Sequence, residues 1–179
     1  MIHYVRVTNP EELQQILELQ QENLPTALSS EEKQQEGFVT VHHTLDLLTR
    51  MNERCAHILA KDGDTVVGYA LCMHKDFGEE IEILKPMIQE IERVIALDDT
   101  INNYIIMGQI CIAKAYRGQG IFRKLYEMMR IAVIPKFETI ITEVDTDNRR
   151  SLAAHNAIGF KTLSRYKAEG KNWWLIYLN

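Results

Sequence analysis

The residues best suited to chemistry lie in Tyr116-Arg117-Gly118-Gln119-Gly120, which follows an apolar run and opens a segment with helical spacing at Ile121, Leu125, Met128 and Met129. A Gly-X-Gly turn feeding a helix N-terminus exposes backbone N–H groups that no helical carbonyl accepts, and these point outward from the turn. A phosphate meets that demand, and Arg117 beside the glycines adds a cation. The competing explanation is that the glycines merely permit a tight connection, so context has to decide. The dinucleotide fingerprint needs a third glycine where Arg123 stands, and the P-loop pattern G-X-X-X-X-G-K-[S/T] does not occur. Nicotinamide chemistry and ATP hydrolysis therefore lose support. His42-His43, His57 and His74 show no ligand spacing with Asp, Glu or Cys, so no metal is assigned.

The elements that must position this turn can be read from period and punctuation. Residues Ile2 to Val7 alternate as a strand, and Asn9-Pro10-Glu11-Glu12 reads as N-cap, N1 proline and acidic first turn. The helix that follows has Leu13, Ile16, Leu17 and Leu24 on its apolar face and glutamines on its wet side. Ser29 with Glu32 suggests a short helix closed by Gly37, and another follows Thr44 with Leu45, Leu48 and Met51 on one face. Cys55 to Lys61 and Thr65 to His74 are β-type runs joined by Asp62-Gly63-Asp64. A helix begins near Pro86, and the long 75–103 connection, apolar at Ile81, Leu84, Met87, Ile88 and Ile91, is a substrate-side candidate. A strand runs from Tyr104 to Ala113, and a further strand spans Thr139 to Val144. Asp147 or Asn148 caps a helix ending at Gly159, then Phe160 to Lys167 and Trp173 to Leu178 close as a hairpin. The class is α+β, and with no repeat or linker 1–179 reads as one domain.

Composition narrows the function. The chain has 179 residues, 46% hydrophobic and 25% charged, with 9 Gly and 4 Pro, the profile of a compact soluble protein. A formal net charge of −5 repels polyanions, so nucleic acid is a poor partner and any phosphate site must be local. Cys55, Cys72 and Cys111 sit in apolar runs where buried free thiols are usual, which points to a reducing cytoplasm. No window approaches the roughly 18 uninterrupted apolar residues of a membrane span, and no export signal precedes the first acidic residues. Trp173-Trp174 alternates across a terminal strand, so one ring should be buried and the other exposed or in a homodimer contact.

The stretch Gln109-Ile-Cys-Ile-Ala-Lys-Ala-Tyr-Arg-Gly-Gln-Gly-Ile, followed downstream by Asn148-Arg-Arg-Ser-Leu-Ala-Ala-His-Asn-Ala-Ile-Gly-Phe160, resembles the GNAT superfamily of acyl-CoA-dependent N-acyltransferases. That family's signature, Q/R-X-X-G-X-G/A, is met at Arg117 and Gly120 and departs at Phe122, where glycine or alanine is usual. The resemblance implies a mixed, mostly antiparallel sheet, splayed at its central strands and flanked by helices, with acetyl-CoA in the gap. Backbone groups of Ile110, Cys111 and Ile112 would pair with the pantetheine arm like an added strand, and the turn Arg117, Gly118, Gln119, Gly120, Ile121, Phe122 would hold the pyrophosphate. Phe122 must then point away and pack with Leu125 and Met129. Asn148 and Ser151 match positions that contact the cofactor in the family, although capping alone explains Asn148.

Acyl transfer to an amine needs a neutral amine, a polarised thioester carbonyl and a protonated leaving thiolate. The resemblance assigns polarisation to a backbone N–H of Ile110 to Ile112. It places His155, seven positions after Asn148, both against the cofactor and where the family usually has a tyrosine acid. Gln109 stands where many relatives carry a glutamate base, which leaves Glu143, Glu36, His42 or His43 to act through water. The implied activity is N-acetyl transfer to a primary amine of a small molecule or peptide. A binding module without turnover, or an acyltransferase with a longer donor lodged near Met87, Ile88 and Ile91, remains the alternative.

Overall fold

The computed structural model describes residues 1–24, 41–97, 101–134 and 136–179. After strand β1 (Ile2–Arg6), the Asn9 side chain accepts the Glu12 N–H at 3.0 Å and Pro10 takes the first helical position, where no N–H is missed. Helix α1 (Pro10–Glu22) follows and buries Leu13, Ile16 and Leu19. Gln20 departs from the expected wet face: it is fully buried, because a turn of α1 carries its amide onto polar groups of the sheet. The Ser29–Gly37 helix and Glu36 fall outside the described residues.

Helix α2 (Leu45–Arg54) starts where the Thr44 hydroxyl accepts the Leu47 N–H at 3.2 Å. Strands β2 (Ile58–Asp62) and β3 (Thr65–Met73) form the expected hairpin around Gly63. Helix α3 (Lys85–Ile95) has Pro86 in its first turn. Then come β4 (Tyr104–Ile112), α4 (Ile121–Val133), β5 (Thr139–Asp145), α5 (Arg149–Ala157), β6 (Lys161–Ala168) and β7 (Lys171–Leu178).

The strands form one sheet in the order β1-β2-β3-β4-β5-β7-β6, antiparallel at every step except β4 against β5. That parallel pair spans only Tyr104–Ile106 against Thr139–Ile141, although both strands run on. Just beyond it the Thr142 hydroxyl donates to the Met107 carbonyl at 2.9 Å, so a side chain replaces the backbone ladder at the point of parting. On the other edge of β4 the register with β3 shifts between Met107 and Ile110, a bulge that bends β4 away. The sheet is therefore splayed between its central strands.

Two cores hold the splay open. One face packs α1, α2 and α3 through Ile16, Leu48, Met51, Leu71 and Ile91, and the other packs α4 and α5 through Leu125, Tyr126, Met129 and Ile140. Ile81, Leu84, Met87, Ile88 and Ile91 are all buried in the first core. They are packing residues, which removes the support for an acyl pocket built from them. Neither tryptophan is fully buried or fully exposed: the Arg165 guanidinium covers Trp174 at 3.9 Å from the ring centre, while Trp173 turns toward the splay. Cys72 and Cys111 are buried thiols, whereas Cys55, at the C-cap of α2, is only half-buried. Among the described residues no helix is long and apolar enough to cross a membrane.

Candidate active site

Where β4 and β5 part, a cleft of about 340 Å³ opens between Ile110–Ile112, the turn after β4 and the start of α5. A smaller lobe of about 90 Å³ lies between the strands, walled by Gln109, Thr142, Glu143, Asp145 and Trp173. Ile110, Asn148 and Ser151 line both, which joins them into one gap. The Ala113 N–H donates to Val67 on β3 at 2.9 Å, so strand alternation turns the Cys111 backbone toward β3 and those of Ile110 and Ile112 toward the gap. Cys111 thus lines the cleft without offering it a backbone pair, a correction to its expected role.

Gly118 and Gly120 hold φ +75° and +78°, and a Cβ on either would meet nothing within 4 Å. The glycines are required by backbone handedness, and the space outside the turn is open. Helix α4 starts on Gly120 with no side-chain cap, and its first intrahelical bond runs from the Lys124 N–H to the Gly120 carbonyl at 3.1 Å. The N–H groups before it are left for an outside acceptor. Arg117 is a strut: Nε donates to the Ile112 carbonyl at 3.0 Å and Nη2 to Asn23 Oδ1 at 2.5 Å, tying the turn to the end of α1. The Gln119 side chain donates to the Ala115 carbonyl at 3.2 Å and stays out of the cleft, so only its backbone belongs to the turn. Phe122 packs edge-on against Tyr126 and His155 at 5.2 and 5.0 Å between ring centres, in the same core as Leu125 and Met129. Asn148 Oδ1 accepts the Ser151 N–H at 3.1 Å, capping α5 at the cleft wall.

His155 is 2% exposed among Phe122, Tyr126 and Phe160. Its Nδ1 lies 2.7 Å from the Ser151 carbonyl, which can only accept, so Nδ1 carries the proton and Nε2 accepts the Tyr126 hydroxyl at 2.8 Å. Burial pushes its pKa down to about 4. His155 borders the inner lobe, and in this arrangement its one ring proton is directed at the Ser151 carbonyl while its acceptor nitrogen takes the Tyr126 hydroxyl.

Gln109 is also committed. Its Oε1 accepts from the Tyr69 hydroxyl at 2.5 Å and Gln20 Nε2 at 2.6 Å, while its Nε2 donates to the Val41 carbonyl at 2.8 Å. His43 joins this buried network through Gln20, and burial followed by its neighbour His42 pushes its pKa down to about 4. His42 is exposed on the preceding loop. Glu143 differs from all of these: half-buried on β5, it accepts the Tyr166 hydroxyl and faces the inner lobe. Burial pushes its pKa up to about 7, against the Tyr166 hydrogen bond and with added repulsion from Asp145. Such a carboxyl holds and releases a proton near neutrality.

Residues 13–160 match the model of the acetyltransferase (GNAT) family. The chain belongs to this family. As a GNAT acetyltransferase it takes acetyl groups from acetyl-CoA to an amine, and the turn at Gly118 and Gly120 lies within the matched residues. No curated protein matches the chain. Among solved structures, the ribosomal-protein-S18-alanine N-acetyltransferase of Escherichia coli is similar at 12% identity, with a TM-score of 0.64 and coverage of 99% of this chain and 93% of that one. YncA of Salmonella typhimurium, solved with its cofactor acetyl-CoA, is similar at 13% identity and TM-score 0.65, covering 99% and 92%. The N-acetyltransferase of Staphylococcus aureus Mu50 is similar at 16% identity and TM-score 0.63, covering 100% and 98%. At these identities the likeness carries the GNAT fold.

Several residues that line or brace this GNAT site carry no site role on sequence alone, and Trp173 is expected there only in the core, exposed or in a homodimer contact. Arg150, exposed and lining the cleft two residues after the Asn148 cap of α5, was legible from helix geometry. Asn23, Trp173 and Tyr166 were not, because each reaches the site across chain-distant elements: Tyr166 pairs with Trp173, and Trp173 with Asp145.

Proposed function

We propose that this GNAT acetyltransferase acetylates a primary amine of a small molecule or peptide, with Glu143 as the proton acceptor. The observation that carries the reading is a carboxyl titrating near 7 inside the gap that ends at an uncapped, glycine-built helix start. Acetyl-CoA supplies an activated acetyl thioester. The outward N–H groups from Gly118 to Phe122 suit its pyrophosphate, and the open space at the two glycines leaves room for it. The free backbone edge at Ile110 and Ile112 suits an amide-bearing arm laid alongside β4, and an N–H there suits polarisation of the acetyl carbonyl. Asn148 and Ser151 shape the opposite wall.

The Glu143 carboxylate takes a proton from the incoming amine directly or through one water, with the Tyr166 hydroxyl steadying the charge. His155 acts at one remove, bracing α5 against α4 through Tyr126. The free thiols support a reducing, cytoplasmic setting. The test pairs calorimetry with a coenzyme-release assay over an amine panel. Gly120→Glu should abolish acetyl-CoA binding, and Glu143→Gln should retain binding and lose turnover. Full turnover in Glu143→Gln would remove the assigned base.

A further inference from the structure

At the end of β5, Asp145 is 7% exposed and uses its carboxylate twice: Oδ1 accepts the Asp147 N–H at 3.0 Å, and Oδ2 holds the Lys171 ammonium at 3.1 Å. The same Nζ lies 5.6 Å from the centre of the Trp173 ring. Asp145 and Trp173 both line the inner lobe with Glu143. Lys171 itself lines neither chamber, but its alkyl ammonium, the chemical class of the acceptor, is held against two of the side chains that wall the inner lobe. Its stem is rooted where β7 begins, and the Thr146 N–H to Asn172 carbonyl bond of 3.0 Å fixes that root to the end of β5. The side chain is still 49% exposed, so its tip can swing from Asp145 into the lobe. By contrast, Lys61, Lys85 and Lys124 pair with Glu12, Glu82 and Glu127, none of which lines the gap.

We propose that Lys171 is a self-acetylation site, modified by the active site of its own molecule. This rests on the acetyl-transfer reading above. The ammonium gives one proton to the Glu143 carboxylate, and the freed Nζ forms a bond to the acetyl carbonyl carbon as the thioester C–S bond breaks. The nitrogen loses its second proton and the sulfur gains one, leaving an amide on Lys171, coenzyme A as its thiol, and one proton released to solvent. The product is neutral, so the Asp145 carboxylate loses its cation beside Glu143 and the lobe becomes more negative.

The experiment incubates the purified chain with acetyl-CoA and follows intact mass and peptide maps across a wide dilution series. One acetyl group is expected, on Lys171, at a rate per molecule independent of dilution. It should be absent in Lys171→Arg and about tenfold slower or more in Glu143→Gln. In the cofactor-free protein, acetyl phosphate should leave Lys171 among the slowest lysines to be labelled, since its ammonium is engaged in the 3.1 Å ion pair with Asp145. Acetylation elsewhere, a rate proportional to protein concentration, an unaffected rate in Glu143→Gln, or preferential labelling of Lys171 by acetyl phosphate would each overturn the proposal. Calorimetry with acetyl-CoA and release of coenzyme A with external amines run alongside. Their success without Lys171 modification sinks this proposal alone, and their failure sinks the acetyl-transfer reading as well.

Discussion

Replacing Glu143 by Gln should stabilise the protein above neutrality while disabling it. The gap between a pKa of about 7 in the folded chain and the ordinary 4.5, at about 1.4 kcal/mol per tenfold change in proton affinity, makes an ionised Glu143 cost the fold about 3 kcal/mol. The sign follows from proton binding. Below pH 4.5 the carboxyl is protonated in both states and costs nothing; between 4.5 and about 7 the unfolded chain releases its proton first, and above about 7 the full penalty applies. Gln keeps an oxygen for the Tyr166 hydroxyl and cannot ionise. Urea or thermal denaturation of both proteins should therefore show equal stability near pH 4 and a gain of about 3 kcal/mol for the variant at pH 8, or about 6–12 °C in Tm for this chain length. In turnover the wild type should gain kcat/KM as pH rises through about 7, whereas the variant loses that limb and falls about 10²- to 10⁴-fold. A variant equally stable at both pH values, or a wild-type profile flat through neutrality, would refute the assignment of a carboxyl that titrates near neutrality.

Acid should unfold the chain early. His43, His57 and His155 are held at about 4, about 3 and about 4 by burial, so all stay neutral in the fold and charge on unfolding below 6.5. Near pH 5.5, after subtracting the proton that Glu143 retains, stability should fall by about 2 kcal/mol per pH unit, and by about 4 in Glu143→Gln; urea midpoints against pH read both slopes, and constant stability down to pH 5 would contradict them. His155→Phe leaves the buried Tyr126 hydroxyl without its acceptor and should cost about 1–3 kcal/mol, with kcat per folded molecule nearly unchanged. A large loss of kcat with stability intact would restore His155 to the chemistry. Gln109→Glu should destabilise by about 1–3 kcal/mol, because it removes the donor to the Val41 carbonyl, and should add no basic limb to the pH profile.

The strand, turn and helix around Gly118 and Gly120 were legible because two glycines at positive φ and an uncapped helix start leave marks in composition and period. The Asn148 cap was legible for the same local reason. Orientation across elements was not. Helical spacing put Gln20 on the wet side of α1, and only the approach of β4 reveals that Gln109 draws it inward. His155 does border the inner lobe, yet its ring nitrogens are taken up by Tyr126 and by Ser151 one turn earlier, contacts that chain position alone does not show. Glu143 could be named among four candidates, but its partner Tyr166 arrives from an edge strand two places along the sheet. The apolar 75–103 segment carried the pattern of a pocket and of a core equally, and packing made it core.

The measurement that bears most directly on the account is calorimetric titration of acetyl-CoA into the wild type and Gly120→Glu, with coenzyme A, NAD and ATP in parallel. Acetyl-CoA and coenzyme A should bind the wild type alone, with NAD and ATP silent and the variant silent toward all four. Equal binding in Gly120→Glu, or equal binding of ATP or NAD, would contradict the claim that the turn from Arg117 to Phe122 holds the acetyl donor.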